Sequence, residues 1–102
     1  MQFIEACRYG RLNVVRGLLA LTGDRRIDVH ACGERAFRWA CENGHLDVVR
    51  ELLALTNDRC VDVHTYDERA SQLACQNGHL CVLRELLELT GHRRIDVHAM
   101  NE

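Results

Sequence analysis

Histidine and cysteine are the side chains here with the most chemistry available to them, and the chain has six of each among 102 residues. Together they could bind zinc, or pair as a thiol nucleophile and its base. Their spacing argues against both. Zinc needs four ligands about 2.0–2.3 Å from one point, and the sequence contains neither C-x-x-C nor H-x-x-x-H. Cys7, Cys41 and Cys75 recur every 34 residues, as do His30, His64 and His98. Groups set out at a fixed interval form a ladder and do not converge. Cys32 with His64 is a conceivable nucleophile and base. Nothing singles the pair out, because Cys32 is matched by Tyr66 and Met100 one and two periods on. Catalysis needs unlike groups gathered in one cleft, and this chain is nearly periodic. The reading is therefore no catalytic residues, no cofactor and no metal.

The 34-residue interval governs the whole chain. Cys41 to Thr56 reads CENGHLDVVRELLALT, one period on it reads CQNGHLCVLRELLELT, and one period earlier CRYGRLNVVRGLLALT. Residues 35–68 and 69–102 agree at 20 of 34 positions, and residues 1–34 and 35–68 at 19. Three such units make one domain, 1–102. A period of this size marks a solenoid, in which each unit buries its apolar face on its neighbours. Within the middle unit, Phe37, Ala40 and Cys41 form a helical stripe. Asn43-Gly44 ends that helix, because glycine takes the left-handed conformation at little cost. A second helix is predicted over Leu46 to Thr56, with Leu46, Val48, Val49, Leu52, Leu53 and Leu55 inward and Asp47, Arg50, Glu51 and Ala54 outward. Val61-Asp62-Val63-His64 alternates as a short extended segment does, and Asp67 reads as the N-cap of the next helix. Helices stacked about 8–10 Å apart hold equivalent cysteines too far apart for disulfides, so Cys7, Cys41 and Cys75 read as thiols filling small apolar slots.

These residues resemble the ankyrin repeat. Its NGH-x-x-V-V-x-x-L-L pattern stands here as Asn43-Gly44-His45 with Val48, Val49, Leu52 and Leu53. The third unit has Asn77-Gly78-His79 with Val82, Leu83, Leu86 and Leu87, and the first keeps Gly10, Val14, Val15, Leu18 and Leu19. The family's A-D-V-N ending is matched by Ile27-Asp28-Val29-His30, Val61-Asp62-Val63-His64 and Ile95-Asp96-Val97-His98. The T-P-L-H opening is replaced by Arg35-Ala36-Phe37-Arg38 and Arg69-Ala70-Ser71-Gln72, and the chain has no proline. The resemblance implies an all-α, helix-turn-helix solenoid of three stacked repeats. The altered connections imply a blunted β-hairpin finger. It also implies that His45 and His79 tie adjacent turns by hydrogen bonds, and that partners dock on a concave side formed by the first-helix ends and the connections.

Residues that break the period are the ones free to serve a unique partner. On that basis, and on the resemblance, the candidate partner-binding residues are Arg8, Tyr9, Cys32, Glu34, Trp39, Glu42, Tyr66, Asp67, Gln76 and Met100. Trp39 is the only tryptophan, a residue type enriched at binding hot spots; alternatively it packs between first helices as Leu73 does. The expected function is a non-enzymatic protein-interaction module. The alternative is a structural spacer, a fragment of a longer array or an engineered minimal stack with no partner of its own. A net charge of −2 gives no reason to expect nucleic acid or an anionic membrane as partner. The pairs Arg25-Arg26 and Arg93-Arg94 read as solvated loop charges. No apolar run approaches a membrane span and the N-terminus is not a signal peptide, so an intracellular, cytoplasmic chain is expected. The third unit keeps Val82, Leu83, Leu86, Leu87 and Leu89, with Ser71, Leu73 and Glu88 as its only cap-like changes. A bare end face and a homodimer through it are expected.

Overall fold

Two apolar stripes joined by a glycine must fold back on each other to cover themselves. The computed structural model of the chain shows this happening three times. It describes residues 2–89 and 93–95, without the side chains of Asn57, Thr65, Tyr66 and Asp67. The helix pairs are α1 (Gln2–Arg8) with α2 (Leu12–Leu19), α3 (Ala31–Glu42) with α4 (Leu46–Leu53), and α5 (Thr65–Gln76) with α6 (Leu80–Leu87). First helices α1, α3 and α5 pack side by side in one layer, and α2, α4 and α6 form the second. Among the described residues there is no strand, as a blunted finger requires.

Each pair turns at a glycine. Gly10, Gly44 and Gly78 have φ of 71°, 74° and 74°. The residue after each donates its N–H five residues back: Arg11 to Ala6, His45 to Ala40, His79 to Ala74, at 2.9–3.0 Å. The glycine N–H reaches three residues back, so two orphan carbonyls at each first-helix end are satisfied. His45 Nε2 then donates to the carbonyl of Arg8 at 2.8 Å, which ties the second turn to the first.

The core follows the period. Phe3 and Phe37, Ala6, Ala40 and Ala74, Val15 and Val49, Val48 and Val82, and Leu52 and Leu86 are all buried. Full burial of a side chain such as Leu52 contributes about 1.5–3 kcal/mol. Cys7 and Cys41 are fully buried, so the apolar-slot reading holds for them. Cys75 is exposed. All six cysteines are free. In the extended segments Val29, Val61 and Val63 point inward while Asp28 and Asp62 stay exposed, as the alternation predicted.

Four expectations need correction. The second helix ends at Leu53, short of Thr56; Ala54 is its C-cap, and a 3₁₀ turn follows at Asn57–Arg59. A guanidinium meets the ends of α2 and α4. Arg59 Nη1 donates to the carbonyl of Leu19 at 3.0 Å, and Arg93 Nη1 to that of Leu53 at 3.1 Å. Each places a cation at the negative end of the preceding unit's second helix, where it is favourable. Arg93 is thus half-buried and structural, while Arg25, Arg26 and Arg94 are exposed loop charges as expected. Asp67 is not the N-cap of α5, since that helix begins at Thr65 behind His64. Ser71 and Leu73 are buried, so they do not make the third unit polar outside. Ser71 stands where Phe3 and Phe37 do, and its hydroxyl has no partner among the described residues.

The end face itself is bare. Cys75 is exposed where Cys7 and Cys41 are sealed. Leu80 and Leu87 are 66% and 48% exposed, whereas their counterparts Leu12, Leu46, Leu19 and Leu53 pack partly against the core.

The turns differ in one testable way. A Cβ on Gly10 would lie 2.5 Å from His45 Nδ1, and one on Gly44 would fall on the His79 ring. One on Gly78 meets nothing within 4 Å. Gly78→Ala should therefore cost only the left-handed penalty, about 1–2 kcal/mol. Gly10→Ala and Gly44→Ala should cost about 1–3 kcal/mol more, since a packed ring must move. Among the described residues, only the His45 ring of the two is hydrogen-bonded to the preceding turn. Urea midpoints of the three variants check this, and equal losses would remove the ring from the account.

Candidate functional site

The first-helix layer carries a cluster that the period does not require. Trp39 on α3 is half-buried against the core. The Arg8 guanidinium from the end of α1 lies over its ring, 4.7 Å from the centroid. Arg35, one helical turn before Trp39, covers the ring at 5.3 Å. Arg8 also lies 5.3 Å from the ring of Tyr9, and Arg11 lies 5.7 Å from it. Tyr9 is 57% exposed. Each such contact contributes about 0.5–1 kcal/mol at an exposed site. The packing alternative for Trp39 is half right: Leu73, its counterpart, is buried, while Trp39 is half-exposed beneath arginines.

The connections are built differently. Ala31–Glu42 opens with one left-handed turn: Cys32 (φ 59°, ψ 40°), Gly33 (65°, 49°) and Glu34 (62°, 33°). That geometry costs about 1–2 kcal/mol for each residue bearing a Cβ. Hydrogen bonds offset it. Arg38 donates from Nε to the Gly33 carbonyl at 2.9 Å and from Nη2 to the Cys32 carbonyl at 3.0 Å. Glu34 Oε1 lies 2.6 Å from His30 Nδ1, and Glu34 Oε2 accepts the N–H of Asp62 at 2.7 Å. His30 Nε2 reaches the Asp58 carbonyl at 2.7 Å. One imidazole and one carboxylate thus bolt the first connection to the next unit. In the following unit Glu68 is again left-handed (φ 66°) and buried, with Oε1 2.5 Å from His64 Nδ1.

His30 faces an acceptor on each ring nitrogen, which only the imidazolium can satisfy with two donors. Its pKa is raised accordingly, chiefly by the Asp58 carbonyl and, against some desolvation, by Glu34. Burial pushes the Cys7 thiol up to about 12 and raises Cys41 likewise, so neither is a nucleophile at neutral pH.

The candidate residues therefore separate. Arg8, Tyr9 and Trp39 come together. Glu42 is half-buried at the end of α3 and its carbonyl accepts from Asn77 Nδ2 at 2.9 Å, while Gln76 is exposed at the end of α5. Cys32 is exposed on the left-handed turn. Glu34 is 3% exposed with both oxygens engaged, so it serves the stack and presents nothing to a partner. The side chains of Tyr66 and Asp67, and all of Met100, lie outside the described residues. Arg11 and Arg35 were missed. Arg11 replaces the periodic His45 and His79, which was a readable signal; Arg35 recurs as Arg69 and gave none. Among the described residues no group of three or more His, Cys, Asp or Glu gathers as metal ligands would.

A family model described as Ankyrin repeats (3 copies) matches residues 3–101. No curated protein and no solved structure matches the chain.

The His30 bolt makes stability depend on pH with a definite sign. A pKa raised on folding contributes fully below the unfolded value, about 6.5, and is lost as pH rises through the folded value. The His30 side chain is 40% exposed, so solvent screens the effect. The urea midpoint should fall between pH 5.5 and 8.5 by more in the wild type than in His30→Gln. Parallel pH profiles for the two proteins would show that this imidazole carries no linkage.

Proposed function

Because the chain belongs to the ankyrin repeat family, we propose that units 1–34, 35–68 and 69–102 act as one domain presenting its first-helix face to a partner protein. Ankyrin repeats are generally protein-interaction modules and typically not enzymes. The observation that carries the reading for this chain is the half-buried Trp39 under Arg8 and Arg35, beside exposed Tyr9. Tryptophan, tyrosine and arginine are the residues that dominate binding energy at interfaces. Cys32, Glu42 and Gln76, with Tyr66, Asp67 and Met100, complete the proposed surface. No helix among the described residues is long and apolar enough to cross a membrane. The six free thiols favour a reducing, cytoplasmic setting.

Truncating a hot-spot side chain costs 2 kcal/mol or more, about thirtyfold in affinity. A cellular protein retained on the immobilised chain should therefore be released by Tyr9→Ser with Trp39→Ala, provided circular dichroism shows the variant folded. Retention unchanged by the double substitution would favour the spacer.

The end face supports a second mode of association. Cys75, Leu80 and Leu87 lie bare where a further unit would seal them. That also fits a segment of a longer array. The second-helix ladder bears on how copies would meet. Arg16 pairs with Glu51 and Arg50 with Glu85, each at 3.2 Å. Arg84 is the next rung, but in a second copy the answering position is Gly17. Head-to-tail stacking lacks that pair, so a two-fold dimer through the third unit's end face is the simpler assembly. Sedimentation at tens of micromolar should give a dimer, and Leu80→Glu with Leu87→Glu a monomer. A wild-type monomer at that concentration would show that the third unit closes itself.

A further inference from the structure

The first-helix cluster also indicates the chemistry of its partner. We propose that Arg8, Tyr9, Arg11, Arg35 and Trp39 form the docking point for an acidic peptide segment of a partner protein. The proposal rests on the interaction reading above and deepens it.

The argument begins with where the carboxylates go. The chain has 15 acidic residues against 13 basic ones. Glu51 and Glu85 are held by Arg16 and Arg50, and Asp58 by Arg26. Glu34 and Glu68 are buried against histidines. Asp28 and Asp62 accept the N–H groups of His30 and His64. Seven of the 15 acids are thus committed to contacts within the fold. Among the described residues none of Arg8, Arg11 and Arg35 is in an ion pair. Three cations without counter-ions stand together on a chain whose overall charge is negative.

Their pose matters as much as their charge. A guanidinium drawn to a ring by cation–π attraction keeps N–H groups free for an anion. The guanidinium fork matches a carboxylate bidentately. Contact with the Trp39 and Tyr9 rings restricts Arg8, Arg11 and Arg35, so less rotamer freedom is lost when a carboxylate arrives. The exposed ring of Tyr9 offers apolar contact between the charges. A segment with two or more carboxylates spaced around an apolar side chain fits this surface. A nucleic acid strand fits it less well. Polyphosphate binding depends on many contacts along a basic track, and here Glu5 and Glu42 flank the arginines on the same helices.

The test is selection of a random peptide display library on the immobilised full-length chain. The expected result is enrichment of Asp and Glu over the starting library. The best acidic peptide should bind about tenfold more weakly to Arg8→Gln with Arg35→Gln, since each lost charged hydrogen bond is substantial. Its affinity for the wild type should also fall as sodium chloride is raised. Both arginines are exposed, and circular dichroism checks the fold of the variant. Selection of neutral or basic peptides would overturn the acidic-partner proposal and leave the interaction reading standing. No selected peptides at all would overturn both. A single-stranded oligonucleotide bound more tightly than the best peptide, and through the same arginines, would reassign the patch to phosphate.

Discussion

Each helix pair is too thin to cover its own apolar face, and the contact between one pair and the next is what the rest of this structure depends on. Leu52, Val48 and Cys41 are buried because neighbours lie against them. Cys75 is the position of Cys41 left exposed, and Leu80 and Leu87 are those of Leu46 and Leu53, while Leu86 and Val82 stay buried within the third unit. The polar contacts follow the same logic. His45 reaches the carbonyl of Arg8, Arg59 that of Leu19, and Glu34 the amide of Asp62. Each satisfies a backbone group in an adjacent unit. Stability in such a chain is a sum over junctions, so weakening one junction should loosen its two neighbours before it disturbs anything remote.

The connections show how a short chain meets that constraint. One left-handed turn at Cys32, Gly33 and Glu34 brings the chain from the extended segment into α3. The turn is strained, and it points a carboxylate into the interior. The strain persists because Arg38 holds the turn's carbonyls while His30 and the Asp62 amide hold the carboxylate. Remove the imidazolium and the carboxylate loses a charged partner in a buried place, where such losses are large. The bolt is therefore strong only while His30 keeps its proton.

Local features were legible in the sequence. The glycine turns, the two apolar stripes and the small Cys7 and Cys41 slots follow from spacing and residue type within a dozen positions. The misses came from contacts made across units. Arg93 reads as a loop charge until its separation of 40 residues from Leu53 is closed by the stack. Asp67 reads as a cap only if the connection is taken as ordinary turn. Glu34 is the instructive case. It recurs as Glu68 and Glu102, and a residue that recurs serves the stack. That rule, applied to Glu34 itself, would have removed it from the candidate surface.

The same rule explains why the aromatic-arginine cluster stands apart. In the second and third units, positions equivalent to Tyr9 and Arg11 hold Asn43 and His45, then Asn77 and His79. Asn77 and His45 reach back to carbonyls of the preceding unit. The first unit has Tyr and Arg there, and both Arg8 and Arg11 lie against the Tyr9 ring. Arg8 becomes Glu42 and Gln76 in the later units, and Trp39 has Glu5 and Leu73 as counterparts. So four of the five cluster residues occupy positions where the period is broken. Side chains that leave the period and gather on one exposed face, with arginines that have no ion-pair partner among the described residues, are what the proposed acidic partner would answer.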